Sequence, residues 1–172
     1  FCFILSIPVK KTERKIICYL TVDGIKLLLQ QPDISKGKGL RDLALLSLMY
    51  ESAARVQEII DLTPLSLSLT GKPFSIELHG KGNKYRVVPL PEKEVQILLQ
   101  YMTQYDLSKR ENARKPLFPN SQGQKMTRNG INNILIKYAR VAKVKDQNII
   151  PEGISCHSLR HSKAMQLLES KV

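Results

Sequence analysis

Apolar positions along this chain change period twice, and the changes divide it into three stretches. Thr21 caps a helix carrying Ile25, Leu28 and Leu29, which Pro32 ends. After the flexible basic loop Ser35-Lys36-Gly37-Lys38-Gly39, a strongly apolar helix is predicted from about Leu40 to Tyr50, with Leu43, Leu46 and Leu48 inside. A second helix follows from Val56 to Leu62, with Ile59 and Ile60 buried. Beyond Pro64 the period falls to two: Phe74, Ile76 and Leu78 alternate with Ser75, Glu77 and His79 as a half-buried strand, and Tyr85 to Leu90 returns after a Gly/Asn turn. Helical spacing then resumes. Pro91, Glu92 and Glu94 open a helix favoured by the proline φ and by the helix dipole, with Val95, Leu98, Leu99 and Met102 as its buried stripe. Residues 106–125 read as a polar loop around Pro116-Leu117-Phe118-Pro119. Thr127 caps a helix with Ile131, Ile134, Leu135 and Tyr138, and a last helix runs from near Ser155 to Leu168. The expected fold is α+β, mainly helical, with a small antiparallel sheet.

Residues 1–20 are strand-like and basic, with Lys10, Lys11, Arg14 and Lys15 interrupting two apolar runs, and read as a linker or strand leading into a domain over 21–172. The apolar start lacks the charged n-region, length and cleavage site of a signal peptide and is too short to span a bilayer. The chain begins on Phe, as a piece of a longer polypeptide would. Three cysteines with no Cys-x-x-Cys pair indicate neither a disulfide framework nor a zinc knuckle, and suit a reducing cytoplasm.

Charge narrows the partner. Lys and Arg number 27 against 15 Asp and Glu, a net charge of +12, with pI about 9.7. That balance points to a polyanion. A membrane surface is disfavoured because no helix pairs a packed Lys/Arg face with large apolar residues. RNA is disfavoured by the lack of an aromatic ribonucleoprotein box or a Gly-x-x-Gly clamp.

Candidate chemistry lies in three places. Arg55 is followed at i+3 by Glu58, Lys81 sits in the hairpin turn, and His157 and Arg160 share a face of the last helix. Guanidinium forks grip phosphate oxygens in a bidentate manner, and a lysine or histidine can move a proton. Each has a plainer reading. Arg55 pairs with Glu58 or Glu51 at a helix end, and Lys81 and Lys84 are solvated charges guarding a strand edge. His157 and His161 are half of a zinc pair without a third ligand. The face bearing Arg128, Asn129, Asn132, Asn133, Lys137 and Arg140 is either a soluble helix surface or a reader of base edges.

Taken together, these motifs resemble the tyrosine recombinases, the lambda-integrase and Xer group. Ser52-Ala53-Ala54-Arg55-Val56-Gln57-Glu58-Ile59 is similar to the family's first arginine segment. His79-Gly80-Lys81-Gly82-Asn83-Lys84-Tyr85-Arg86-Val87-Val88-Pro89-Leu90 is similar to its hairpin. Leu117-Phe118-Pro119 with Met126-Thr127 is similar to its connector into a DNA-facing helix, and His157-Ser158-Leu159-Arg160-His161 to its His-x-x-Arg box. Ala54 replaces the usual Gly before the arginine, and Gln57 the usual Ser or Thr after it. The resemblance implies a site-specific DNA recombinase or integrase of a bacterial mobile element that breaks and rejoins strands through a 3′-phosphotyrosine. A DNA-binding module that kept only the phosphate clamp is the alternative.

By that resemblance Arg55 and Arg160 clamp the scissile phosphate, Lys81 protonates the departing 5′ oxygen, His157 assists proton transfer and Glu58 supports the arginine segment. Lys84, Arg86, Thr127, Arg128, Asn129 and Asn132 are expected at DNA, and no metal, ATP or other cofactor is implied. The family's attacking tyrosine follows the His-x-x-Arg box. The six tyrosines here, Tyr19, Tyr50, Tyr85, Tyr101, Tyr105 and Tyr138, all precede it. These residues are therefore expected to bind double-stranded DNA weakly and leave it uncut, as a monomer. The complete protein is expected to work as a tetramer on two duplexes in the cytoplasm, at the nucleoid.

Overall fold

The computed structural model describes residues 18–170 except 81 and 83. The leading segment over 1–17 and the hairpin lysine Lys81 therefore lie outside the described residues, and 18–20 carry no regular structure. The described residues form six α-helices and one three-stranded antiparallel sheet whose strands lie in chain order, the expected class. No described helix is long and apolar enough to cross a membrane.

Helix α1 (Val22–Leu29) starts where expected, with the Thr21 hydroxyl accepting the Gly24 N–H at 3.2 Å. Helix α2 (Gly37–Glu51) begins three residues earlier than its apolar run, inside the basic stretch read as a loop. Gly39 makes that start possible: a Cβ there would stand 1.9 Å from the Asp33 carbonyl oxygen, so only glycine lets the preceding turn fold back. Leu40, Ala44, Leu45, Leu46, Leu48 and Met49 are all buried. A helix apolar on nearly every side belongs in the middle of a core, and four of the other described helices pack against it.

Helix α3 is short (Val56–Asp61) and reached through a turn in which Ala53 has φ 47°, a left-handed conformation that costs a non-glycine residue energy. Strand β1 (Leu67–Ser68), too short to leave a periodic signal, pairs with β2 (Ser75–Gly80), and β2 pairs with β3 (Lys84–Pro89). In that register Ile76 faces Val88 and Leu78 faces Arg86. Since side chains alternate across a strand, Arg86 lies on the inner face with the buried Leu78.

Helix α4 (Glu92–Gln104) buries Val95, Leu98 and Met102, but its stripe is completed by Tyr101 rather than Leu99, which is exposed. The Tyr101 hydroxyl donates to the Leu117 carbonyl at 2.7 Å, so a phenol replaces the leucine because the 116–119 loop supplies an acceptor. Helix α5 (Arg128–Lys145) runs five residues past Arg140, and α6 (Cys156–Glu169) packs on α2 and α5.

Candidate active site

The site forms where α3, β3 and α6 meet. Arg55 is the N-cap of α3, and Glu58, three residues on, reaches back so that its Oε2 accepts the Arg55 N–H at 2.7 Å. This is the returning half of a capping box; a guanidinium has no acceptor with which to supply the other half. Glu58 Oε1 also accepts from Arg55 Nη1 at 3.0 Å. Across the sheet, Arg86 Nη1 and Nη2 donate to Oε1 and Oε2, each at 2.7 Å, a two-pronged fork. The Glu58 side chain is 3% exposed, Arg86 36% and Arg55 56%. Burial alone would push the Glu58 carboxyl up. The hydrogen bonds from Arg86 and from the Arg55 backbone and side chain outweigh it and hold the group at about 2.

Arg160 enters from α6. Its Nη1 donates to the Ala53 carbonyl at 2.6 Å, so the left-handed turn before Arg55 is also what seats the second arginine. Burial lowers the Arg160 guanidinium from its ordinary value; the charges of Arg55 and Arg86 lower it further, and Glu58 acts in the opposite sense. Three guanidinium groups therefore gather around one carboxylate that pairs with only two of them, a surplus of positive charge suited to an anion carrying more than one oxygen.

The other expected site residues fall around this cluster. His157 is exposed in the first turn of α6, one turn before Arg160, its ring edge-on to His161 at 5.3 Å. Lys84 is exposed at the base of the hairpin, opposite Gly80. Among the described residues no group of three or more His, Cys, Asp or Glu could hold a metal ion. At the start of α5, Thr127 caps through a bond from Gly130 at 3.0 Å, and Asn129 and Asn133 are exposed. Asn132 instead turns inward, where its Oδ1 accepts the Cys156 N–H at 3.4 Å and joins α5 to α6.

Three contacts go beyond what the sequence predicts. Arg128 Nε donates to Gln57 Oε1 at 3.0 Å, and Gln57 Nε2 to Asp61 Oδ2 at 3.0 Å, so the first residue of α5 is tied to the helix that Arg55 caps. Arg86 was expected at DNA, yet its guanidinium closes on Glu58. The strand alternation that puts position 86 beside Leu78 and Val88 was the signal available for that.

Comparison with known proteins identifies the family and the fold. Residues 18–172 match the phage integrase family. The chain is 34% identical over 165 residues to tyrosine recombinase XerD of Staphylococcus epidermidis, covering 95% of this chain and 53% of that protein. It is 32% identical over 164 residues to tyrosine recombinase XerC of Pelobacter propionicus, covering 95% and 50%. It thus spans about half the length of these curated relatives. In fold it is similar to the XerH site-specific recombinase bound to a palindromic difH substrate, with TM-score 0.77 and 22% identity over 95% of this chain and 45% of that one. It is also similar to the Tn1549 transposon integrase in complex with transposon right-end DNA, with TM-score 0.69 and 16% identity over 94% and 56%. With a family match over all but its first seventeen residues, the chain belongs to the phage integrase family of tyrosine recombinases.

Proposed function

We propose that this chain supplies the phosphate-activating part of a site-specific DNA recombinase. The carrying observation is the convergence of Arg55 and Arg160 on one surface, fixed by the Ala53 turn and by Glu58. Arg55 and Arg160 grip the non-bridging oxygens of the scissile phosphate and stabilise the charge that grows on them in the pentacoordinate transition state. A tyrosine oxygen attacks phosphorus, the bond to the 5′ oxygen breaks, and Lys81 delivers a proton to that oxygen while His157 assists. A 5′-hydroxyl of the partner strand then attacks the 3′-phosphotyrosine and expels the tyrosine. Lys84, Arg128 and Asn129 meet the duplex, with Thr127 setting the start of α5.

We infer that the attacking tyrosine comes from outside these 172 residues; three of the six within them are unsuited to attack. Tyr50, Tyr101 and Tyr138 are buried and donate to Gln166, Leu117 and Asp42 respectively. Burial pushes the Tyr50 phenol up to about 12 and raises Tyr101 and Tyr138 as well, which is the wrong direction for a nucleophile. In the complete protein, four copies act on two duplexes, in the bacterial cytoplasm at the nucleoid.

The test is incubation with a nicked suicide duplex. The 172-residue chain is expected to retard the duplex in a salt-dependent way, to lose most of that affinity on Arg55→Ala or Arg160→Ala, and to form no covalent complex. Equal retardation by both variants would remove the phosphate clamp, and a covalent complex would place the nucleophile inside the chain.

A further inference from the structure

We propose that Arg86 is a positioning residue: its fork on Glu58 keeps that carboxylate from closing on Arg55, so that the remaining Arg55 donors stay turned outward to a phosphate. The inference rests on the phosphate-site reading above. A carboxylate beside one arginine settles into a two-pronged pair and cancels its charge. Here Arg86 occupies that mode, with both Nη atoms at 2.7 Å. Arg55 is left with a single side-chain contact to Glu58, at 3.0 Å through Nη1, and more than half of its side chain exposed. Of the five N–H groups on a guanidinium, most of those on Arg55 thus remain for a ligand.

The backbone fixes this division. The β2–β3 register sets Arg86 opposite Leu78 on the inner face. Gly80, at the end of β2, packs beside the carboxylate: a Cβ there would be in ordinary contact, 3.5 Å from Glu58 Oε1. Arg55 approaches the same carboxylate from the N-cap of α3, where its backbone N–H already holds Oε2. Glu58 is therefore saturated by one strand and one helix end, and Arg86 acts on substrate through Arg55.

Lysine at position 86 separates this from a direct charge contact with DNA, because it keeps the charge and loses the fork. Binding of a mixed-sequence nicked duplex is measured for wild type, Arg86→Lys and Arg86→Gln, together with the Arg55 Nε–H resonance and the carboxyl carbon of Glu58. In wild type the duplex shifts the Arg55 resonance. Both variants are expected to bind about tenfold more weakly, the size of one lost charge-assisted hydrogen bond. In both, the Arg55 resonance no longer responds to DNA, and the Glu58 carboxyl titrates higher than in wild type. The glutamine variant serves alone if the lysine variant does not fold. Wild-type affinity and an unchanged Arg55 response in Arg86→Lys would overturn the positioning role alone. A wild-type Arg55 resonance blind to DNA would overturn the phosphate-site reading and this inference with it.

Discussion

Two glutamates, Glu58 and Glu94, expose little surface, 4% and 2%, and are equally placed, each the third residue of a helix, but Glu94 is the more deeply enclosed. Their charge states are opposite. Glu58 accepts from two guanidinium groups and a backbone N–H and is held at about 2. Glu94 accepts from one hydroxyl, that of Ser47 at 3.2 Å, with Glu51 nearby; burial, then that neighbouring charge, pushes it up to about 8. Low surface exposure alone does not decide ionisation; the donors that face the group and the depth of protein around it do. At the α3–β3 junction the protein keeps a fixed negative charge that organises arginines. Between α2 and α4 it keeps a neutral acid that serves packing.

The sharpest break of this contrast is removal of each charge. Glu58→Gln leaves Arg55 and Arg86 repelling each other beside Arg160 and is expected to cost about 3 kcal/mol in urea unfolding at pH 7, with duplex binding lost as well. Glu94→Gln at pH 6 is expected to be nearly silent. Similar costs for the two would mean that both carboxylates are charged in the folded protein.

Acid comes next. The folded Glu58 carboxyl lies below its ordinary value of 4.5, so its stabilisation is complete above that value and is lost as pH falls towards about 2. Between pH 4.5 and 3 the wild type is expected to give up about 2 kcal/mol of its advantage over Glu58→Gln. Curves that stay parallel through that interval would show that Glu58 is not held by its arginines.

This contrast also marks how far the sequence could be read. Arg55, Glu58, His157 and Arg160 are legible because a short helix, a helix start and i, i+3 spacing fix their faces locally. The hairpin is legible from its period of two, yet Arg86 reads as one more basic residue near DNA unless the alternation is followed through to its register partner. Glu94 misleads more: with Glu92 in the first turn of α4 it looks like a dipole partner in solvent. Only the docking of α4 on α2, which no local pattern encodes, buries it against Ser47. The same docking and the loop at 116–119 decide that Tyr101, and not Leu99, faces the core.

Alkali tests the other half. The folded Glu94 carboxyl lies above 4.5, so the contribution of this group is complete below that pH and is lost as pH rises towards about 8. Glu94→Gln removes the titration and is expected to be more stable than wild type at pH 9 by about 1.5 kcal/mol. A wild type that runs parallel to the variant over this range would mean that Glu94 ionises freely.

The smallest effect isolates the single donor. Ser47 is 3% exposed, and its hydroxyl lies 3.2 Å from Glu94 Oε1 and 3.4 Å from the Ala44 carbonyl. It has one proton to give. With Glu94 protonated, the acid can donate to Ser47 while Ser47 donates to Ala44, and every group is matched. With Glu94 ionised, Ser47 must turn to the carboxylate, its only side-chain donor among the described residues. Ser47→Ala should therefore cost about 1 kcal/mol at pH 6, where one modest hydrogen bond is lost, and more at pH 9, where a charge is left without a donor. The Glu94 carboxyl carbon should titrate above its wild-type position. If it instead stays where it was, Ser47 is not the group that faces the ionised carboxylate, and Glu94 has a donor that its neighbours on α2 do not provide.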